Sequence, residues 1–140
     1  MRVLTFAPAL TITEDQDGGL SARGFPMTSG YVEVLPADIT VPVVVAVCAL
    51  GGDEYSPVLY IGADSPSGER ISTMEFGWDW EDSSEIPIKF RVFAQYLPIT
   101  VETEGVYTLG LYNSLEDTDA EAVFPLPMFL NPLARPDSGA

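Results

Sequence analysis

The sequence predicts an all-β fold, a two-sheet antiparallel β-sandwich of about seven or eight strands. Three observations point there. Short alternating or continuous apolar runs rich in Val, Ile, Tyr and Phe recur along the chain, clusters of Gly, Pro, Asp and Ser separate them, and helix-period patterns are hard to find. Two stacked sheets bury one face of each strand, which a single meandering sheet does not. At 140 residues and 46% hydrophobic content, the chain can build a core as one domain. That domain is expected over residues 1–130. Residues 131–140, with two prolines and a Ser-Gly-Ala end, read as a flexible tail.

The first run, Arg2 to Thr13, contains Pro8, which cannot donate to a ladder, so it reads as an edge strand or one broken by a bulge. Asp15-Gln16-Asp17-Gly18-Gly19 supplies a turn, and Leu20 to Phe25 returns from it. Tyr31 to Leu35 is a short strand closed by Pro36. Thr40 to Leu50 is apolar at almost every position, which implies that both its faces are covered. The second cover is expected from the Val123 to Leu133 segment or from another chain. Pro57 to Ala63 and Glu69 to Phe76 flank the turn Asp64-Ser65-Pro66-Ser67-Gly68. From Ile86 the alternation is clear: Phe90, Val92, Ala94 and Tyr96 share one face, Lys89, Arg91, Phe93 and Gln95 the other, and the first face is expected in the core. In Val106 to Tyr112, Tyr107, Leu109 and Leu111 are expected inside. Tyr107, just after Gly105, stands where sandwich domains place a corner tyrosine. Glu121 to Leu130 carries Pro125 and Pro127 at alternate positions and reads as an edge strand or cover rather than a central strand.

The charge excludes several functions. Asp and Glu number 21 against 6 Lys and Arg, a net charge of -15, and there is no histidine. Without histidine, neither a Ser-His-Asp nor a Cys-His relay can be assembled from this chain, and Cys48 is the only candidate thiolate for zinc. A chain of this charge repels phosphates, so direct nucleic-acid binding is not expected. The acids are spread over both halves and form no separate acidic tail. No run is long and apolar enough for a membrane-spanning helix, and residues 1–8 lack the pattern of a secretory signal. One cysteine permits no internal disulfide framework. The expected location is the cytoplasm.

The turn-flanked first hairpin (Asp15 to Leu20), the Asp64-Ser65-Pro66-Ser67-Gly68 turn and the Glu104-Gly105-Val106-Tyr107-Thr108 start of a late hairpin appear in an order that resembles a family of small bacterial β-sandwich proteins, domains of unknown function. The resemblance spans most of residues 1–130. It implies an immunoglobulin-like or related sandwich and carries over no catalytic residue. Cys48 and the two tryptophans do not supply the Cys, Trp, Cys pattern of antibody domains.

The expected contact site is the segment where acids and tryptophans meet: Trp78, Asp79, Trp80, Glu81, Asp82 and Glu85. Aromatic anchors rimmed by charge are what protein interfaces use, whereas the bland alternative puts the indoles at the end of the core. Glu14-Asp15-Gln16-Asp17-Gly18 superficially resembles a calcium loop but lacks the full ligand spacing and distal Glu, so it reads as a charged turn. With so many acids, carboxylate pairs are no evidence for glycoside hydrolysis. Cys48, inside a Val-rich strand, reads as a small hydrophobe. The leading expectation is a non-enzymatic interaction or structural module without cofactor or metal, binding another protein and in addition a candidate homo-oligomer. The first alternative is an acidic nucleic-acid mimic that inhibits a DNA-binding protein, and the second a carbohydrate-binding module that stacks sugars on the two Trp rings. A third alternative is that the acidity only maintains solubility or adapts the protein to a salty or high-GC host.

Overall fold

A computed structural model of the chain describes residues 1–52, 56–80 and 87–133. Ten strands run through them: β1 (Arg2–Pro8), β2 (Thr11–Glu14), β3 (Leu20–Arg23), β4 (Gly30–Val32), β5 (Ala37–Leu50), β6 (Val58–Asp64), β7 (Arg70–Gly77), β8 (Ile88–Val101), β9 (Gly105–Tyr112) and β10 (Ala122–Leu130). The fold is all-β. Among the described residues no helix is long and apolar enough to cross a membrane.

The strands form three sheets: β1-β5-β8, β4-β10-β9-β6-β7, and the separate hairpin β2-β3. The chain leaves the first sheet after Pro8, so the single run Arg2 to Thr13 is two strands in two sheets. Pro8 ends β1, an edge strand of its sheet, where its missing N–H costs nothing. The fourteen-residue strands β5 and β8 pair over their whole length, from Ala37 against Val101 to Leu50 against Ile88.

One core cluster draws on both large sheets. Val41, Val43, Val45, Val47, Leu97, Ile99 and Val101 come from the first, and Leu59, Ile61, Tyr107, Leu109, Leu111, Leu126 and Met128 from the second. The edges of these sheets also approach each other. On one side Ser72 of β7 donates its hydroxyl to the Pro98 carbonyl of β8, and on the other β1 lies against β10.

Three sequence expectations are corrected. The described residues hold ten strands, not about seven or eight, because the first run is divided and short strands flank the long ones. In β8 the core face is not Phe90, Val92, Ala94 and Tyr96 but the other set: Phe93 and Lys89 turn inward, with Leu97, Ile99 and Val101 continuing that parity. β8 pairs with β5 without a register shift, so its side chains alternate throughout and the apolar residues at its C-terminal end dictate which face its N-terminal half presents inward. β10 is not simply an edge or a cover either, because it lies between β4 and β9. Its prolines are accommodated by position. The Asn131 N–H reaches the Val32 carbonyl on the β4 side, so the odd-numbered Pro125 and Pro127 turn their N–H-less nitrogens the same way. The three residues of β4 pair only with Met128, Phe129 and Leu130, beyond both prolines.

Gly105 opens β9 with φ +146°, and a Cβ there would come 2.7 Å from Pro66 Cγ, so this corner requires glycine. Two residues later the Tyr107 hydroxyl donates to the Thr103 carbonyl at 2.8 Å. The tail expected over 131–140 begins anchored, since the Asn131 side-chain amide donates to Glu33. Residues 134–140 lie outside the described residues.

Candidate partner-binding surfaces

The tryptophan segment follows β7. Its first indole is held in place by a backbone bond from Trp78 N–H to the Pro57 carbonyl at 3.3 Å. Trp78 and Trp80 are only 8% and 7% exposed and belong to the core cluster. Their rings meet edge to face, centroids 5.6 Å apart at 76°. Trp78 also packs on Phe93 at 4.7 Å and on Phe76 at 6.0 Å, so four aromatic rings close this end of the core. Lys89, itself buried, holds its ammonium 5.0 Å from the Trp80 ring centroid, a cation–π distance. Neither indole Nε1 finds an acceptor among the described residues. Crossed and buried in this way, the two rings do not present the flat exposed platform on which sugars stack.

Of the six expected contact residues, the structure brings Trp78 and Trp80 together inside. Asp79 alone of the described three faces outward, where its carboxylate accepts a hydrogen bond from Ser56 at 2.7 Å. Glu81, Asp82 and Glu85 lie outside the described residues. The alternation of Trp, Asp and Trp was the available signal: period two puts both rings on one face of an extended segment, and an aromatic core takes that face.

The Glu14 to Gly18 segment is a hairpin turn, with Asp15 N–H to the Gly19 carbonyl at 2.7 Å and Gly18 N–H to the Asp15 carbonyl at 3.1 Å. Among the described residues no three acidic or thiol side chains gather as metal ligands. Compared with protein-family models and with curated proteins, the sequence matches none. The geometry is therefore the guide to function.

On the outer side of the five-stranded sheet, Gly62 of β6 pairs with Gly110 of β9 and opens a trough. Arg70 and Tyr112 fill it. Arg70 bonds Asp64 through Nε and donates from Nη2 to the Tyr112 hydroxyl at 2.9 Å. The hydrogen bond to Asp64 holds the guanidinium pKa above its ordinary value, against the opposing effect of burial. A cleft of about 540 Å³ adjoins this group, lined by the β6–β7 turn and by Thr100, Glu102 and Thr103. Its central side chains are already committed, Arg70 to Asp64 and Tyr107 to Thr103.

The surface of which the sequence showed only the Thr40 to Leu50 part is the outer side of the β1-β5-β8 sheet; the β1 and β8 residues on it were not expected there. There Leu50 pairs with Ile88, Cys48 with Phe90 and Ala46 with Val92. Leu50 is 62% exposed, Phe90 63%, Val92 48% and Ile88 45%, and Leu4, at the irregularity in β1, is 46% exposed. The β2-β3 hairpin packs against β5 and β8, and the neighbouring outward residues Ala7 and Val44 are buried. Among the described residues, nothing covers the half toward Leu50 and Ile88 in the same way. The signal was present in Thr40 to Leu50, apolar on both faces. Of the two expected covers for its second face, the Val123 to Leu133 segment or another chain, the former does not serve: β10 sends Leu126 and Met128 into the core on the first face.

Proposed function

We propose that the protein is a non-enzymatic protein-interaction module of the cytoplasm, a sandwich of two facing sheets related to immunoglobulin-like domains, whose docking surface is the open outer half of the β1-β5-β8 sheet. One observation carries the reading: five large apolar side chains stand exposed together on Leu4, Leu50, Ile88, Phe90 and Val92. Soluble proteins seldom leave so contiguous an apolar patch open without a partner for it. The Tyr107–Thr103 bond supports the sandwich part, because corner tyrosines of sandwich domains bond back to backbone a few residues upstream. The tryptophans serve the core in this reading. The acids of the described residues concentrate in turns and connections, such as Glu14 to Asp17 and Glu116 to Glu121, where they keep the module soluble.

A photo-crosslinking residue at Val92, with Val123 on the other sheet as control, tests the docking surface in cells that make the protein. Crosslinks to protein, itself or another, are expected from position 92 in excess of position 123. Equal or absent crosslinking at 92 sinks the proposal.

A further inference from the structure

We propose that the occupant of this face is a second copy of the chain, packed sheet against sheet about a two-fold axis lying in the interface. The inference rests on the docking-surface reading above and names its partner.

Area is the first argument. Five side chains of ~150–200 Å² each, exposed by about half, present roughly 450 Å² of apolar surface. A standard interface buries ~800 Å² per partner, of which about 56–65% is apolar, so ~450–500 Å² is the apolar share that a stable dimer needs. A homodimer face is the more apolar kind, and two sheets pack readily at ~10 Å separation.

Charge is the second. The chain carries 21 carboxylates, yet the outward positions from Pro42 to Leu50 on β5, from Ile88 to Tyr96 on β8, and along β1 include none. Arg2 is the one charged side chain among them, opposite Cys48. Two copies of a chain at -15 repel each other wherever their acidic turns meet. Carboxylates border this face without standing on its strands: Glu14 and Asp15 of the β2-β3 hairpin come beside Val92, so two copies juxtapose fewest acids when they meet over the half toward Leu50 and Phe90. A basic partner, by contrast, would be steered to the acidic turns and gain no ion pairs here.

Chemistry is the third. The five exposed side chains are aliphatic and aromatic and need no complementary donor or acceptor, so the patch is its own complement. Arg2, on the edge strand β1 opposite Cys48, is the charged group that a second copy must leave to solvent. An isologous contact of this kind closes at two copies.

Sedimentation over roughly 1–300 μM, a range that brackets micromolar dimerisation, should show the wild-type chain shifting from monomer to dimer. Phe90→Glu and Leu50→Glu should weaken the dimer by at least about tenfold with unchanged far-ultraviolet circular dichroism, while Val123→Glu dimerises as wild type. Phe90→Ser reads the same contact should Phe90→Glu not fold. The Cys48 thiol, half-buried on this face, should react more slowly as concentration rises. A wild-type chain that stays monomeric throughout overturns the inference, and so does a Phe90→Glu or Phe90→Ser dimer of unchanged affinity. If the pure chain is monomeric while position 92 crosslinks to another protein, the second copy is excluded and the docking surface stands; if neither occurs, both fail.

Discussion

The Tyr107 hydroxyl donates to the Thr103 carbonyl at 2.8 Å, tying the turn between β8 and β9 to a ring that is 1% exposed. The same oxygen lies 3.4 Å from the Thr103 N–H, so the phenol braces both polar groups of one residue. Tyr107→Phe keeps the ring and removes the donor. We expect a loss of about 1 kcal/mol, seen as a lower urea midpoint at unchanged slope. An unaltered midpoint would mean that the bond does not hold this corner.

The paired glycines Gly62 and Gly110 carry a second prediction. A Cβ on Gly110 would lie 2.6–2.8 Å from the Tyr112 ring and hydroxyl, whereas one on Gly62 would meet the end of Arg70 at 2.8 Å. An aromatic ring packed at a buried position cannot swing aside, but a guanidinium can. Gly110→Ala should therefore destabilise by roughly 1–3 kcal/mol, and Gly62→Ala by less. Comparing their melting temperatures checks the order, and the reverse order would contradict this account of the trough.

The tryptophans are assigned to the core, and this has an energetic signature. Trp78→Ala should cost about 3–5 kcal/mol, far more than a surface anchor would. Because the Trp78 Nε1 has no acceptor among the described residues, Trp78→Phe should cost much less than the alanine change. Denaturation curves of the two variants decide it, together with iodide quenching, which should be weak. A Trp78→Ala protein as stable as wild type would return this residue to the surface.

Arg70 and Asp64 form an ion pair whose side chains are 34% and 28% exposed. Solvent screening limits it, so Asp64→Asn should cost under about 1 kcal/mol, and the cost should shrink in molar salt. The guanidinium pKa is raised by its bond to Asp64. A raised pKa contributes stability that is fully present below the unfolded value and is lost only as pH rises through the folded one. For an arginine this window lies in strong alkali, so the Arg70 contribution should be flat over roughly pH 5–9. Melting temperatures of wild type and Asp64→Asn that converge within that range would show another group at work.

Much of the strand order was legible because turn chemistry is local. Asp15 to Gly19 and Asp64 to Gly68 mark chain reversals, and Pro36 and Gly105 mark strand boundaries, by what their own backbones can adopt. In β9 the interior set Tyr107, Leu109 and Leu111 followed from alternation within one strand, because one face was apolar and the other was not. β8 misled for the same reason. Phe90, Val92, Ala94 and Tyr96 are more apolar than Lys89, Arg91, Phe93 and Gln95, yet it is the second set that shares parity with Leu97, Ile99 and Val101. Aromatic residues beside acids suit an interface, which is what Trp78 and Trp80 offer in sequence; packing of Trp78 on Phe76 and Phe93, and of Trp80 on Trp78, assigns them inside.

An all-β chain, the bounds of most of its strands and the absence of any histidine-based relay could be read directly from residue types. Those properties depend on residue type and on nearest neighbours along the chain. Tertiary structure alone decided which face of β5 and β8 looks outward, that β10 lies between β4 and β9, and that the indoles close the core while Phe90 and Leu50 stand exposed. The physical reason is that a strand's two faces are exchanged by a shift of one residue, and the choice is settled by what the opposing sheet can fill across the core.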